Sequence, residues 1–129
     1  ICKIYRALAV GQIARQRFSI TSPIDGQTAL TKIQVLAANL QASYLKIEIH
    51  TGRTHQIRKH LLAIGHPILG EAFYAPSREV SRLERRVSRP MLHAHRLGFV
   101  NPLSEKAILC TAPLPHDFQQ VLAWVGLAK

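Results

Sequence analysis

The chain has 129 residues, enough for one domain with a buried core, and at 47% hydrophobic it is a globular sequence rather than a disordered one. Seventeen Lys and Arg against seven Asp and Glu give a formal net charge of +10, which favours a polyanionic partner because each phosphate contact releases condensed counterions; the plainer reading is a generally basic, soluble surface. No apolar run approaches the roughly 18 residues of a membrane span, and Cys2 and Cys110, far apart and without a CxxC, offer no zinc ribbon and fit a reducing compartment.

Taken in order, Lys3 to Gly11 alternates Ile4, Arg6, Leu8 and Val10 with Lys3, Tyr5, Ala7 and Ala9, the period of a strand ending at a glycine. Residues 12–27 are mixed, with a turn signal at Ser22-Pro23-Ile24-Asp25-Gly26. Thr28 to Leu36 and Ser43 to His50 are two further period-2 segments, within which Thr31–Leu36 and Tyr44–Ile49 are close enough in sequence to pair as a hairpin.

A helix is expected next, opening in the basic turn after Thr51-Gly52 and ending at Gly65-His66-Pro67, with Ile57, Leu61 and Ile64 as its apolar stripe. Ser77 to Arg89, rich in arginine, reads as a short helix or an exposed basic loop, and Arg78 to Arg89 is expected to be an exposed, RNA-facing or disordered insertion. Met91 to Val100 and Lys106 to Thr111 form two more strands around Asn101-Pro102. Pro115 is placed at the first helical position of a closing helix with Phe118, Val121, Leu122 and Val125 inward. The order implies an α+β domain, a mixed, mainly antiparallel sheet with flanking helices and no internal boundary.

The central helix gathers Arg53, Thr54, His55, Gln56, Arg58 and Lys59. At about 100° per residue, Arg58 falls about 100° from Ile57, on the shoulder between core and solvent, and His55 about 160° away. A guanidinium on that shoulder needs a carboxylate, a phosphate or carbonyls. With the free N–H groups of a helix start it would make an anion-binding corner; alternatively, these cations tie down neighbouring loops. His55 and His60 are five apart and do not match HExxH spacing, while His93 and His95 share a strand face but lack a third ligand, so no metal site is expected. GxSxG, GxxxxGK[ST] and a Cys–His pair are all absent. Asp25, in its turn, and Asp117, in the first turn of the last helix, read as structural. Residue chemistry alone thus reaches a basic α+β domain that binds an anion, RNA above all, at the start of its central helix.

Thr51 to Ala75, TGRTHQIRKHLLAIGHPILGEAFYA, closely resembles the signature of the RluA-type pseudouridine synthases, enzymes that isomerise uridine in ribosomal and transfer RNA. Lys3-Ile4-Tyr5-Arg6-Ala7 resembles that family's K-x-Y-x-A strand and Ala29-Leu30-Thr31 its A-x-T strand. Leu92-His93-Ala94, then Phe99, Pro102 and Ala112-Pro113-Leu114-Pro115, resemble its C-terminal strand pair. The resemblance implies a cytoplasmic, cofactor-free and metal-free enzyme, monomeric when intact. A catalytic aspartate in an upstream H-R-L-D motif would add to the nucleoside or help break its glycosidic bond, and the detached uracil would turn and rejoin through C5. Tyr5 would lie near the uracil and assist deprotonation at C5; Arg58 would pair with the aspartate. Arg53, Thr54, His55, Gln56, Lys59 and His93 would lie near RNA phosphates or the flipped nucleotide.

Two positions and one missing motif depart from that pattern. Glu71 stands where the family has Asp, Asn101 where His often precedes the Pro, and H-R-L-D is absent; His95-Arg96-Leu97-Gly98 has glycine in place of the aspartate and lies too far along the chain. Because Ile1 also opens within a strand pattern and without Met, the expectation is the C-terminal part of a catalytic domain, inactive alone, with the nucleophile in a missing N-terminal half. The alternatives are a non-catalytic basic RNA-binding module and a basic protein-interaction domain.

Overall fold

A computed structural model describes residues 2–74, 84–100 and 103–128. Six strands, β1 (Cys2–Val10), β2 (Arg17–Ile20), β3 (Thr31–Ala38), β4 (Ala42–Ile49), β5 (Leu92–Val100) and β6 (Ala107–Thr111), form one sheet in the order β2-β3-β4-β1-β5-β6. Every pairing between these strands is antiparallel, so the sheet is α+β as expected but not mixed. The expected hairpin forms, with Thr31 opposite Ile49 and Ile33 opposite Ile47.

Two helices, α1 (Gln56–Ala63) and α2 (His116–Trp124), lie on opposite faces. The helix α1 is bonded to Thr31, whose face holds Ile33, Leu45, Ile47, Ile49 and Ala7. Phe118 of α2 meets Tyr44, on the other face beside Leu8. Strand β1 records the result. Ala7, Leu8 and Ala9 are fully buried between the two layers, whereas Lys3 to Arg6 keep partial exposure at the end that the helices leave open.

Several boundaries differ from expectation for local reasons. Strand β2 was not anticipated, because four residues alternate too briefly to stand out from a mixed segment. β3 begins at Thr31 rather than Thr28 because the preceding backbone bonds elsewhere: the Thr28 carbonyl accepts from Arg53 and the Leu30 carbonyl from Gln56. Pro115 is the N-cap of α2, not its first helical residue, with ψ 153° outside the helical range; Phe118, Val121, Leu122 and Val125 are all buried as expected.

The helix α1 does stop at Gly65. At φ +83° this residue lets Gly65 N–H reach Leu62 and His66 N–H reach Leu61, satisfying two terminal carbonyls. Ile64, placed in the apolar stripe, is instead the C-cap and 37% exposed. Beyond the turn the chain runs back beside β1, where Leu69 N–H donates to Leu8 O and Met91 N–H to Leu69 O. Gly70 sits so close to the next segment that a Cβ would fall 2.2 Å from the Arg89 carbonyl oxygen, so only glycine fits.

Of the arginine-rich stretch, residues 77–83 lie outside the described residues. Its remainder is packed on one side and exposed on the other, at Arg85, Arg86 and Ser88. Glu84–Arg86 is a short 3-10 turn with Glu84 and Val87 buried. Arg86 lies 4.1 Å over the Trp124 ring, and Arg89 forks onto Asp117 at 2.7 and 2.9 Å. The segment is a strap holding α2.

Candidate active site

The turn between β4 and α1 is built around one amide. Gln56 is buried, and its two N–H groups donate to Leu30 O at 2.8 Å and Thr31 Oγ1 at 3.0 Å. Its Oε1 accepts from the Thr51 hydroxyl at 2.7 Å and from Arg53 N–H at 3.2 Å. Two donors and two lone pairs are thereby all used. Gln56 thus clamps the loop to β3. Behind it stands His60, fully buried. Its Nε2 faces the Ser22 carbonyl at 2.8 Å, which can only accept, so Nε2 carries the proton and Nδ1 accepts from the Thr31 hydroxyl at 2.6 Å.

This clamp fixes one wall of a cleft of about 240 Å³ whose lining includes Tyr5, Arg53, His55, Arg58 and Leu92. The volume suits a single planar ring, since a cavity of about 150 Å³ already takes benzene. Tyr5 enters from β1, between Ile47 and Ala94 on the neighbouring strands. On its other side a second hollow of about 340 Å³ runs between Ala94, Leu97 and Cys110. Tyr5 therefore stands as a partition with open space on both sides.

Arg58 finds its carboxylate within this chain. Its Nε donates to Glu71 Oε2 at 2.6 Å and its Nη2 to Oε1 at 2.8 Å, a two-pronged pair in which Glu71 is fully inaccessible and Arg58 is 18% exposed. Burial pushes the Glu71 carboxyl up; the Arg58 hydrogen bonds, the Tyr74 N–H and the Arg58 charge outweigh it and hold the group below its ordinary value. Within these residues Glu71 therefore neutralises Arg58. Two of five guanidinium N–H groups are used, and the described residues take none of the other three. Sequence reading passed over Glu71 as a mild replacement; the signal was present in the rule that a half-buried Arg requires an acid.

The other expected ligands divide. Lys59 is bound to Asp25 at 3.1 Å, and Arg53 Nε donates to Thr28 O at 2.7 Å, so the loop-tying reading holds for both. Thr54 is exposed on the turn. His55, the N-cap of α1, has φ +50° and makes no capping bond; its Nδ1 pairs with the Tyr74 hydroxyl. Tyr74, unnoticed in the sequence, also receives the Arg58 guanidinium over its ring at 5.3 Å. His93 is corrected. It pairs with Arg6 on the face opposite Tyr5, and its Nε2 meets the Ala112 carbonyl at 3.1 Å.

His93 Nε2 and His95 Nδ1 both turn to the Ala112 carbonyl. Cys2, Glu48 and His50 approach one another on the face away from the cleft.

The family described as RNA pseudouridylate synthase matches residues 1–63. An uncharacterized RNA pseudouridine synthase of Bacillus subtilis, YhcT, is 33% identical across 92% of this chain and 43% of its own length. One from Chloroflexus aurantiacus is 39% identical across 93% of this chain and 41% of its own. The ribosomal large subunit pseudouridine synthase D of Zymomonas mobilis is 35% identical across 87% and 36%. Among solved structures, human RNA pseudouridylate synthase domain containing 1 superposes with a TM-score of 0.70 at 31% identity, covering 87% of this chain and 54% of that one. The chain spans less than half the length of these curated relatives.

Proposed function

This chain belongs to the RNA pseudouridine synthase family, and from that premise we propose that it supplies part of the catalytic domain of an enzyme that isomerises uridine in ribosomal or transfer RNA. The observation that carries the reading is the meeting of Tyr5 and Arg58, from β1 and α1, in one ring-sized cleft. The glycosidic bond from N1 to C1′ breaks, the uracil turns, and C5 bonds to C1′. The proton leaves C5, and N1 ends with a proton.

In this proposal Tyr5 stands against the uracil and assists the loss of the C5 proton. Arg58, held by Glu71, uses its remaining donors to orient the carboxylate of an H-R-L-D motif. The 129 residues contain no such motif, so that aspartate comes from polypeptide outside them and the chain alone does not turn over. No cofactor enters the scheme. Cytoplasmic location, and a monomer when the domain is whole, belong to the same proposal.

The test joins the chain to an upstream segment carrying H-R-L-D and measures pseudouridine in ribosomal and transfer RNA by mass spectrometry. Product that falls at least about 100-fold with Arg58→Ala or on loss of the aspartate is expected, the scale of losing one preorganised electrostatic group. RNA binding without any isomerisation would favour the non-catalytic module.

A further inference from the structure

The face of the sheet away from the cleft carries two straight rows of side chains that strand register alone creates. In the first, Arg17, Gln34, Lys46, Arg6 and His93 stand opposite one another across β2, β3, β4, β1 and β5. In the second, beside it, are Ser19, Lys32, Glu48, Ile4 and Arg96. With strands about 4.8 Å apart and alternate residues about 6.8 Å apart, the patch measures about 19 by 7 Å. Five cations face one carboxylate.

These cations are not used up by the protein. Arg17, Lys46 and Arg96 make no ion pair among the described residues, and Arg6 only lies 5.8 Å over the Tyr44 ring. Lys32 is 52% exposed and reaches Glu48 only at 3.9 Å, while Glu48 already bonds His50 at 2.8 Å. An open hollow of about 400 Å³ lies over Arg17, Lys32, Lys46 and Glu48. His95, at the edge, is held below its ordinary pKa by burial first, against the Ala112 hydrogen bond, with the Arg6, Arg96 and His93 charges adding to it.

We propose that this open face is a second RNA-contact surface, on which Arg6, Arg17, Lys32, Lys46 and Arg96 neutralise phosphates of an RNA backbone crossing the strands, outside the cleft. The choice of RNA as the polyanion rests on the family reading above; the surface itself does not. Contact is to phosphate, so it is independent of base sequence.

The test uses the 129-residue chain and a fluorescent RNA hairpin without uridine, so that binding is read apart from isomerisation. Arg17→Glu with Lys46→Glu is expected to weaken binding roughly 10- to 100-fold and to lower the log–log salt slope by about 2. Arg85→Glu with Lys106→Glu, an equal charge change at exposed positions off the rows, is expected to weaken it less than about threefold. Equal loss from both pairs, or none from the first, overturns the proposal.

Acetylation of lysine amines in the unmodified protein gives a readout free of any folding defect. RNA is expected to protect Lys32 and Lys46 but not Lys106; absence of that difference, or protection only by phosphatidylglycerol vesicles, overturns it. Row-dependent binding without isomerisation in the joined protein sinks the catalytic reading alone. Isomerisation with unprotected rows sinks this one alone.

Discussion

The two faces of one sheet handle positive charge in opposite ways. Around α1 three cations are held by the protein: Arg58 by Glu71, Lys59 by Asp25, Arg53 by the Thr28 carbonyl. On the open face Arg17, Lys46 and Arg96 are held by no acid among the described residues. Access to water explains the difference. A guanidinium packed on a helix shoulder loses hydration and must be compensated internally, whereas one on a solvated strand face keeps its water and remains available. A dense cluster of basic residues in sequence therefore marks the cations least free to bind a ligand, and the scattered ones are freer.

Removing one partner of the covered pair is the strongest way to break this contrast. Glu71→Ala strands Arg58 half-buried and is expected to lose roughly 3–5 kcal/mol in urea unfolding, while Arg58→Met with Glu71→Leu recovers most of it. Next comes the clamp behind the cleft. Thr31→Val leaves buried Gln56 and His60 without their shared hydroxyl, an expected loss of about 1–3 kcal/mol by the same measurement.

Acid gives a smaller, graded effect with a defined sign. The Glu71 carboxyl lies below its usual 4.5 when folded, so near that pH the unfolded chain binds more protons. Stability is full above about 4.5 and falls as pH drops through the folded value; Glu71→Gln, compared by urea melts from pH 7 to 3, should flatten that slope. The smallest effect belongs to the open face. Lys46→Ala and Arg17→Ala should stay within about 0.5 kcal/mol of the parent stability, and a larger loss would mean that those cations are structural after all.

Much of the architecture was legible because it rests on local period. Alternation placed five of the six strands, and the stripe with its glycine stop placed α1 and its exit. What escaped was short or non-local. Strand β2 has four residues, too few for a period to show. Glu71 is thirteen positions from Arg58, and only the return of the chain after Gly65, with the close approach at Gly70, brings them together. Gln56 sat in the recognisable motif but told nothing of its partners, which are carbonyls and hydroxyls set by other segments.

By itself the sequence determined the α+β class, the alternation of each strand, the apolar face of each helix and the motif that marks Tyr5 and Arg58. Each of these follows from side-chain period or from residues adjacent in the chain. The tertiary structure decided which face each strand turns to the cleft, that Arg58 is balanced by Glu71, that His93 stands on the far side, and that Arg17, Lys46 and Arg6 align. Register and strand order set those relations, and they join positions whose separation in sequence holds no trace of their contact.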